Sequence, residues 1–66
     1  MKIKIKKGCM VDSWSGRYDG PQVKLYKGDV FEVEDEDAYD DDHYSHIGED
    51  GFPNLIIPKK NCIVIE

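Results

Sequence analysis

No window of eleven or more residues in this chain places apolar side chains at i, i+3, i+4 and i+7, whereas several short segments alternate polar and apolar. Lys2-Ile3-Lys4-Ile5-Lys6 is the clearest of these. Successive side chains of a strand point to opposite faces, so this pattern makes a strand with one face inward. The chain must therefore be assembled from short strands. Val23-Lys24-Leu25-Tyr26 alternates in the same way, and Val30-Phe31-Glu32-Val33-Glu34 adds β-branched and aromatic residues that suit a pleated surface. Weaker segments fall at 44–47 and 52–57, the latter interrupted by Pro53, and a last one at 62–65.

Glycine and proline divide the strands. Gly8 ends the first, and Gly16, Gly20 and Pro21 are expected to keep residues 12–22 irregular. Asp50-Gly51 is expected to form a tight hairpin turn. Pro58-Lys59-Lys60-Asn61 is the one place suited to a 3₁₀ turn. With 66 residues, 39% of them apolar, the chain fills one small core, and residues 1–66 are expected to be a single domain. The expected inward set is Ile3, Ile5, Val23, Leu25, Val30, Phe31, Val33, Ile47, Ile56 and Ile63.

Two stretches carry a resemblance. Val23-Lys24-Leu25-Tyr26-Lys27-Gly28-Asp29-Val30-Phe31-Glu32-Val33 resembles the "L-x-F-x-x-G-D-x-L-x-V" segment of Src-homology-3 domains, and Leu55-Ile56-Ile57-Pro58-Lys59-Lys60-Asn61-Cys62-Ile63 resembles their "I-P-x-N-Y-V" ending. The resemblance implies an all-β fold, a five-stranded Src-homology-3-like small barrel with a long first loop and a 3₁₀ turn before the last strand. Closing a sheet in this way limits exposed edges. The family's peptide groove is only partly matched. Pro58 stands for its proline, but its last tyrosine falls at Cys62, its tryptophan falls at His43 or Tyr44, and its "A-L-Y-D-Y" stretch is replaced by Cys9-Met10-Val11-Asp12-Ser13-Trp14. Polyproline binding needs those aromatic ridges and is not expected. The ending is closer to the bacterial and phage domains of this type.

Composition narrows the function. Nine Lys and Arg against fourteen Asp and Glu give a net charge of −5, which is unlike a strongly cationic nucleic-acid binder. No apolar run exceeds four residues, so no membrane span is expected. The first residues have no continuous apolar segment, and a cytoplasmic protein is expected. Two cysteines are too few for a disulfide scaffold or a zinc ribbon, and both are expected as free thiols. No nucleophile–base pair, phosphate loop or metal motif is recognisable, and the domain is expected to be too small for a pocket of several hundred Å³. A non-enzymatic binding module without cofactor or metal is the expectation.

Eight carboxylates crowd residues 32–42, a density that repels itself and belongs in a solvated loop. It keeps a small domain soluble, or presents negative charge to a basic partner. His43 and His46, three apart on a strand, should face opposite sides and make a poor shared ligand pair. Trp14 and Tyr18 lie in the first loop, Tyr39 inside the acidic loop and Tyr44 just beyond it. Tryptophan and tyrosine are enriched as interface anchors. The expected partner site is therefore Trp14, Tyr18, Tyr39, Asp40, Asp41, Asp42, Tyr44 and Pro58, taking a protein with a basic surface. The competing expectation is nucleic acid, its phosphates held by Lys2, Lys4, Lys6, Lys7, Lys59 and Lys60, or an acidic mimic of nucleic acid. Lysines on a strand also guard an edge against aggregation.

Overall fold

The computed structural model describes residues 1–16, 18–34, 41–49 and 52–66. Residues 35–40, with Tyr39 and Asp40, and the Asp50-Gly51 turn lie outside the described residues. Among those described the fold is all-β. The strands are β1 (Lys2–Ile5), β2 (Cys9–Val11), β3 (Ser13–Ser15), β4 (Tyr18–Asp19), β5 (Val23–Leu25), β6 (Val30–Glu32), β7 (His43–His46), β8 (Asn54–Pro58) and β9 (Cys62–Val64). A 3₁₀ turn, Lys59–Asn61, joins β8 to β9.

The strands form three sheets, ordered β6-β1-β9, β2-β5 and β4-β3-β8-β7, and no sheet closes into a barrel. The all-β class expected above is observed, while the expected five-stranded, partly open Src-homology-3-like barrel is not shown by this arrangement. The first loop is folded rather than irregular. Ser15 pairs with Tyr18, Trp14 pairs with Asp19, and β2 pairs with β5, so residues 12–22 contain strands despite their glycines. The turn at Gly28-Asp29 then divides the return arm β5 from β6. Gly28 takes φ +99°, a left-handed conformation that glycine adopts without a Cβ penalty. Its N–H donates to Ile5 O at 2.8 Å, Ile5 N–H donates to Asp29 O at 2.8 Å, and Asp29 Oδ2 accepts from Tyr26 N–H at 2.9 Å. The turn is thereby fastened to the end of β1.

Alternation places the core. Ile3 and Ile5 are fully buried, and the lysines between them are exposed. They pack with Val11, Leu25, Val33, Leu55, Ile57 and Cys62. Four of the expected core residues are displaced. Val30 (51% exposed) turns outward because Phe31, opposite Ile3, takes the inward position. Ile63 (46%) turns outward because Cys62 lies opposite Ile5. Leu55 and Ile57 go inward, leaving Ile56 half-buried on the other face, and Ile47 (50%) lies beyond the end of β7. Val23 and Phe31 are half-buried at the margin.

Among the described residues the buried polar side chains, Ser13 and Asn61, are both satisfied. Ser13 Oγ–H donates to Pro21 O, folding residues 20–21 against β3. Asn61 Nδ2–H donates to Lys7 O at 3.2 Å, while Asn61 O accepts from the N–H groups of Lys6 and Lys7. The 3₁₀ turn is thus tied to the end of the first strand.

Candidate functional site

The four-stranded sheet β4-β3-β8-β7 carries four of the eight expected partner residues, Trp14, Tyr18, Tyr44 and Pro58, and its register sorts them by face. Residues directly opposite in an antiparallel pair lie on the same face. Ser13 pairs with Leu55, Tyr44 with Ile57 and His46 with Leu55, so these belong to the core face. Trp14 pairs with Asn54 and Asp19, and His43 pairs with Pro58, which places them on the outer face. Ile56 and Asp12 share that outer face, since Ile56 N–H donates to Asp12 O at 3.1 Å.

A cleft of about 550 Å³ is lined by Asp12, Trp14, Asp19 and Ile56 of this outer face and by Tyr18, which pairs with Ser15 and reaches the cleft from the end of the β3–β4 hairpin. Trp14 is half-buried and Tyr18 is 80% exposed. Gln22 Nε2–H donates to Asp12 Oδ1 at 3.1 Å and holds one of the two carboxylates in place. The cleft thus offers an indole, a phenol and an aliphatic side chain beside two exposed carboxylates. Aromatic faces attract cations, and adjacent carboxylates reinforce that preference for a Lys or Arg side chain.

The remaining expected site residues are not gathered there. Tyr44 belongs to the opposite face of the sheet, with Lys59 Nζ 5.0 Å from its ring centroid. Pro58 stands four residues along β8 from Asn54, roughly 13 Å at the rise of a strand. Asp41 and Asp42 are exposed in the turn before β7, where Asp42 O accepts Lys59 N–H at 2.8 Å. Two strand positions separate β7 from β3. The carboxylates beside Trp14 are therefore Asp12 and Asp19, which the dense run at 32–42 had overshadowed in the sequence. The pairing of Trp14 with Asp19 became legible only through the β3–β4 hairpin.

The lysines divide as well. Lys2 Nζ lies 3.3 Å from Glu66 Oε2, and the Met1 ammonium lies 3.2 Å from Glu32 Oε1, so that end of β1 is charge-paired. Lys4 and Lys6 line a shallow cleft with Lys27, a lysine the sequence pattern did not single out. Lys60 is exposed on the 3₁₀ turn and Lys7 just after β1. His43 and His46 lie on opposite faces of β7, as their spacing implies. Among the described residues no group of three His, Cys, Asp or Glu is placed to hold a metal ion, and no helix is long and apolar enough to cross a membrane.

The thiols are free, and Cys9 lies on β2, not on the first strand. Burial pushes the Cys62 thiol above its ordinary range; nearby Cys9 adds to this, while Lys6 and Lys59 oppose it. A thiol held in its protonated form is a poor nucleophile.

One feature was missed altogether. An open groove of about 710 Å³ runs between β5, β6 and the end of the β7–β8 hairpin. It is an open surface groove and not an enclosed pocket. The groove arises because β5 and β6 belong to different sheets, which spacing alone did not reveal. In comparisons with known proteins, the chain matches no family model, no curated protein and no solved structure.

Proposed function

We propose that this chain is a non-enzymatic protein-interaction module that docks a basic segment of its partner into the Trp14 cleft. The observation that carries this is the gathering of Trp14, Tyr18, Asp12 and Asp19 around one exposed cleft on a fastened sheet. The aromatics supply buried area, and the two carboxylates select positive charge. Asp41 and Asp42, at the far end of the same sheet, steer a basic partner at longer range without touching what binds in the cleft.

The scaffold belongs, on this reading, with the small Src-homology-3-like barrels of bacterial and phage type. Several features support that placement. β1 runs between β9 and β6, the Gly28-Asp29 turn precedes β6, and a 3₁₀ turn after Pro58 leads into the last strand. Glu34 N–H donates to Ser45 O at 3.1 Å, linking the end of β6 to β7. The five principal strands then follow one another as in an open barrel, with β2–β5 as an elaborated first loop. A small cytoplasmic phage protein acting on a host factor suits such a scaffold.

The test is partner capture from a bacterial lysate with wild type, Trp14→Ala, Asp12→Asn/Asp19→Asn and Asp41→Asn/Asp42→Asn side by side. A specific partner retained by wild type and lost with the first two variants supports the reading. Equal capture by all four contradicts it. The competing reading, nucleic-acid binding, draws on the convergence of Lys4, Lys6 and Lys27 at one cleft. It requires an affinity that falls steeply with salt and is lost on Lys4→Glu/Lys6→Glu.

A further inference from the structure

The groove between β5, β6 and the β7–β8 hairpin is built differently from the Trp14 cleft. Its floor is the buried Val33 and Leu55, and its walls are the half-buried Val23 and Phe31. Its rim bears the exposed side chains of Ile47 and Phe52, which extend the apolar lining to the edge of the groove. Edge-to-face contact with His46, centroids 5.1 Å apart, sets the Phe31 ring. The His46 ring is fixed in turn by Nδ1–H donating to Glu32 O at 2.7 Å. Gly48 N–H donates to Asn54 Oδ1 at 2.9 Å and holds the hairpin wall.

Two further observations specify the occupant. The first is charge: Asp29, Glu34 and Glu49 line the groove, with Glu32 whose carboxylate is paired with the Met1 ammonium, against the Lys24 ammonium that lies 5.3 Å from the Tyr26 ring centroid. The second is backbone. All three residues of β5 line the groove, β5 pairs with β2 alone, and among the described residues no strand takes its other edge. A free strand edge beside an apolar trough accepts an extended chain, whose alternate side chains fill the trough.

We infer that this groove binds an extended peptide segment of a partner protein, alternating apolar and basic residues, added as a strand along β5. The apolar residues enter over Val33 and Leu55, and the Lys or Arg residues meet the carboxylate rim. A second copy of this chain is a poor occupant, because joining two grooves would bring eight carboxylates together. The inference does not rest on the Trp14 cleft, and either site can fail alone.

The test uses the full chain, ¹⁵N-labelled, and a capped hexapeptide of alternating lysine and valine as probe. A matching peptide of alternating glutamate and valine is the control. The lysine peptide is expected to perturb the amides of Val23–Leu25, Phe31, Glu34, Ile47 and Phe52 and to slow amide hydrogen exchange in β5. The glutamate peptide leaves them unmoved. Phe52→Ala and Glu34→Gln/Glu49→Gln each weaken binding at least tenfold, all at exposed positions whose loss leaves the core intact. Trp14→Ala leaves it unchanged. Equal effects of both peptides, perturbation centred on Trp14, no perturbation at millimolar peptide, or self-association through β5 without peptide would each overturn the inference.

Discussion

Ile56 and Ile57 are neighbours of the same chemistry, and the structure treats them oppositely. Ile57 is fully buried among Ile3, Ile5 and Leu25, whereas Ile56 is half-buried beside the Trp14 cleft. Ile57→Ala is expected to cost about 2–5 kcal/mol, as a cavity in a close-packed interior does. Ile56→Ala should cost less than about 1.5 kcal/mol, because less area returns to water. Urea unfolding of the two variants decides the order, and the reverse order would mean that β8 is inverted. Phe31→Ala, at the core margin, should fall below the roughly 3–5 kcal/mol typical of a fully buried phenylalanine. Cys62 supplies a pH signature at the same scale. Its thiol is held above the ordinary value of 9.0 by burial, so the folded state keeps its proton where the unfolded state releases it. Its contribution is complete below pH 9 and is lost as pH rises beyond it. Wild type should therefore lose stability more steeply than Cys62→Ala as pH rises above 9.0, measured by urea unfolding across that rise. Parallel pH profiles would contradict the burial assigned to this thiol.

Elements were legible where polar and apolar residues alternate, and ambiguous where they do not. Lys2 to Lys6 fixed the phase of β1, because only one face of that segment can go inward. Leu55-Ile56-Ile57 and Cys62-Ile63-Val64-Ile65 are apolar at every position, so either phase was allowed. Pairing with Ser13 and Ile5 selected the observed one. A one-residue slip exchanges the two faces of a strand, which is why Ile56 and Ile63 were misplaced together with their neighbours. The first loop departs from expectation for another reason: glycines that break a strand also serve at the turns of short hairpins. The β7–β8 hairpin has its own sensitive point. A Cβ at Gly48 would run into the carbonyl oxygens of Phe52 and Pro53, backbone atoms with no rotamer to relieve the contact. Gly48→Ala is expected to destabilise the fold by about 1–3 kcal/mol, the range of an overpacked site. Glu49→Ala, exposed next to it, should change stability by less than about 0.5 kcal/mol. Equal melting temperatures for the two would show that the hairpin end yields freely.

At the scale of the whole molecule, eight buried apolar residues among those described form the core that supports the Trp14 cleft and the β5 groove, and the margin for damage is small. The proposed partner surface is legible in part: residue type and loop position single out Trp14 and Tyr18, and both line one cleft. Their acidic neighbours were not identified, because Asp12 and Asp19 approach only when the hairpin folds, and the acidic run drew attention away from them. The groove beside β5 had no linear signature at all; its lining comes from three separated stretches of chain. The two surfaces make different demands on kinetics, and the Trp14 cleft carries the main claim. The direct measurement is the dissociation rate of the captured partner from wild type, Trp14→Ala and Phe52→Ala, each first verified as folded. Loss of an interface anchor worth about 2 kcal/mol corresponds to roughly thirtyfold faster dissociation for Trp14→Ala. An unchanged rate for Trp14→Ala would contradict a protein-binding role for this cleft, and acceleration by Phe52→Ala alone would move that role to the groove.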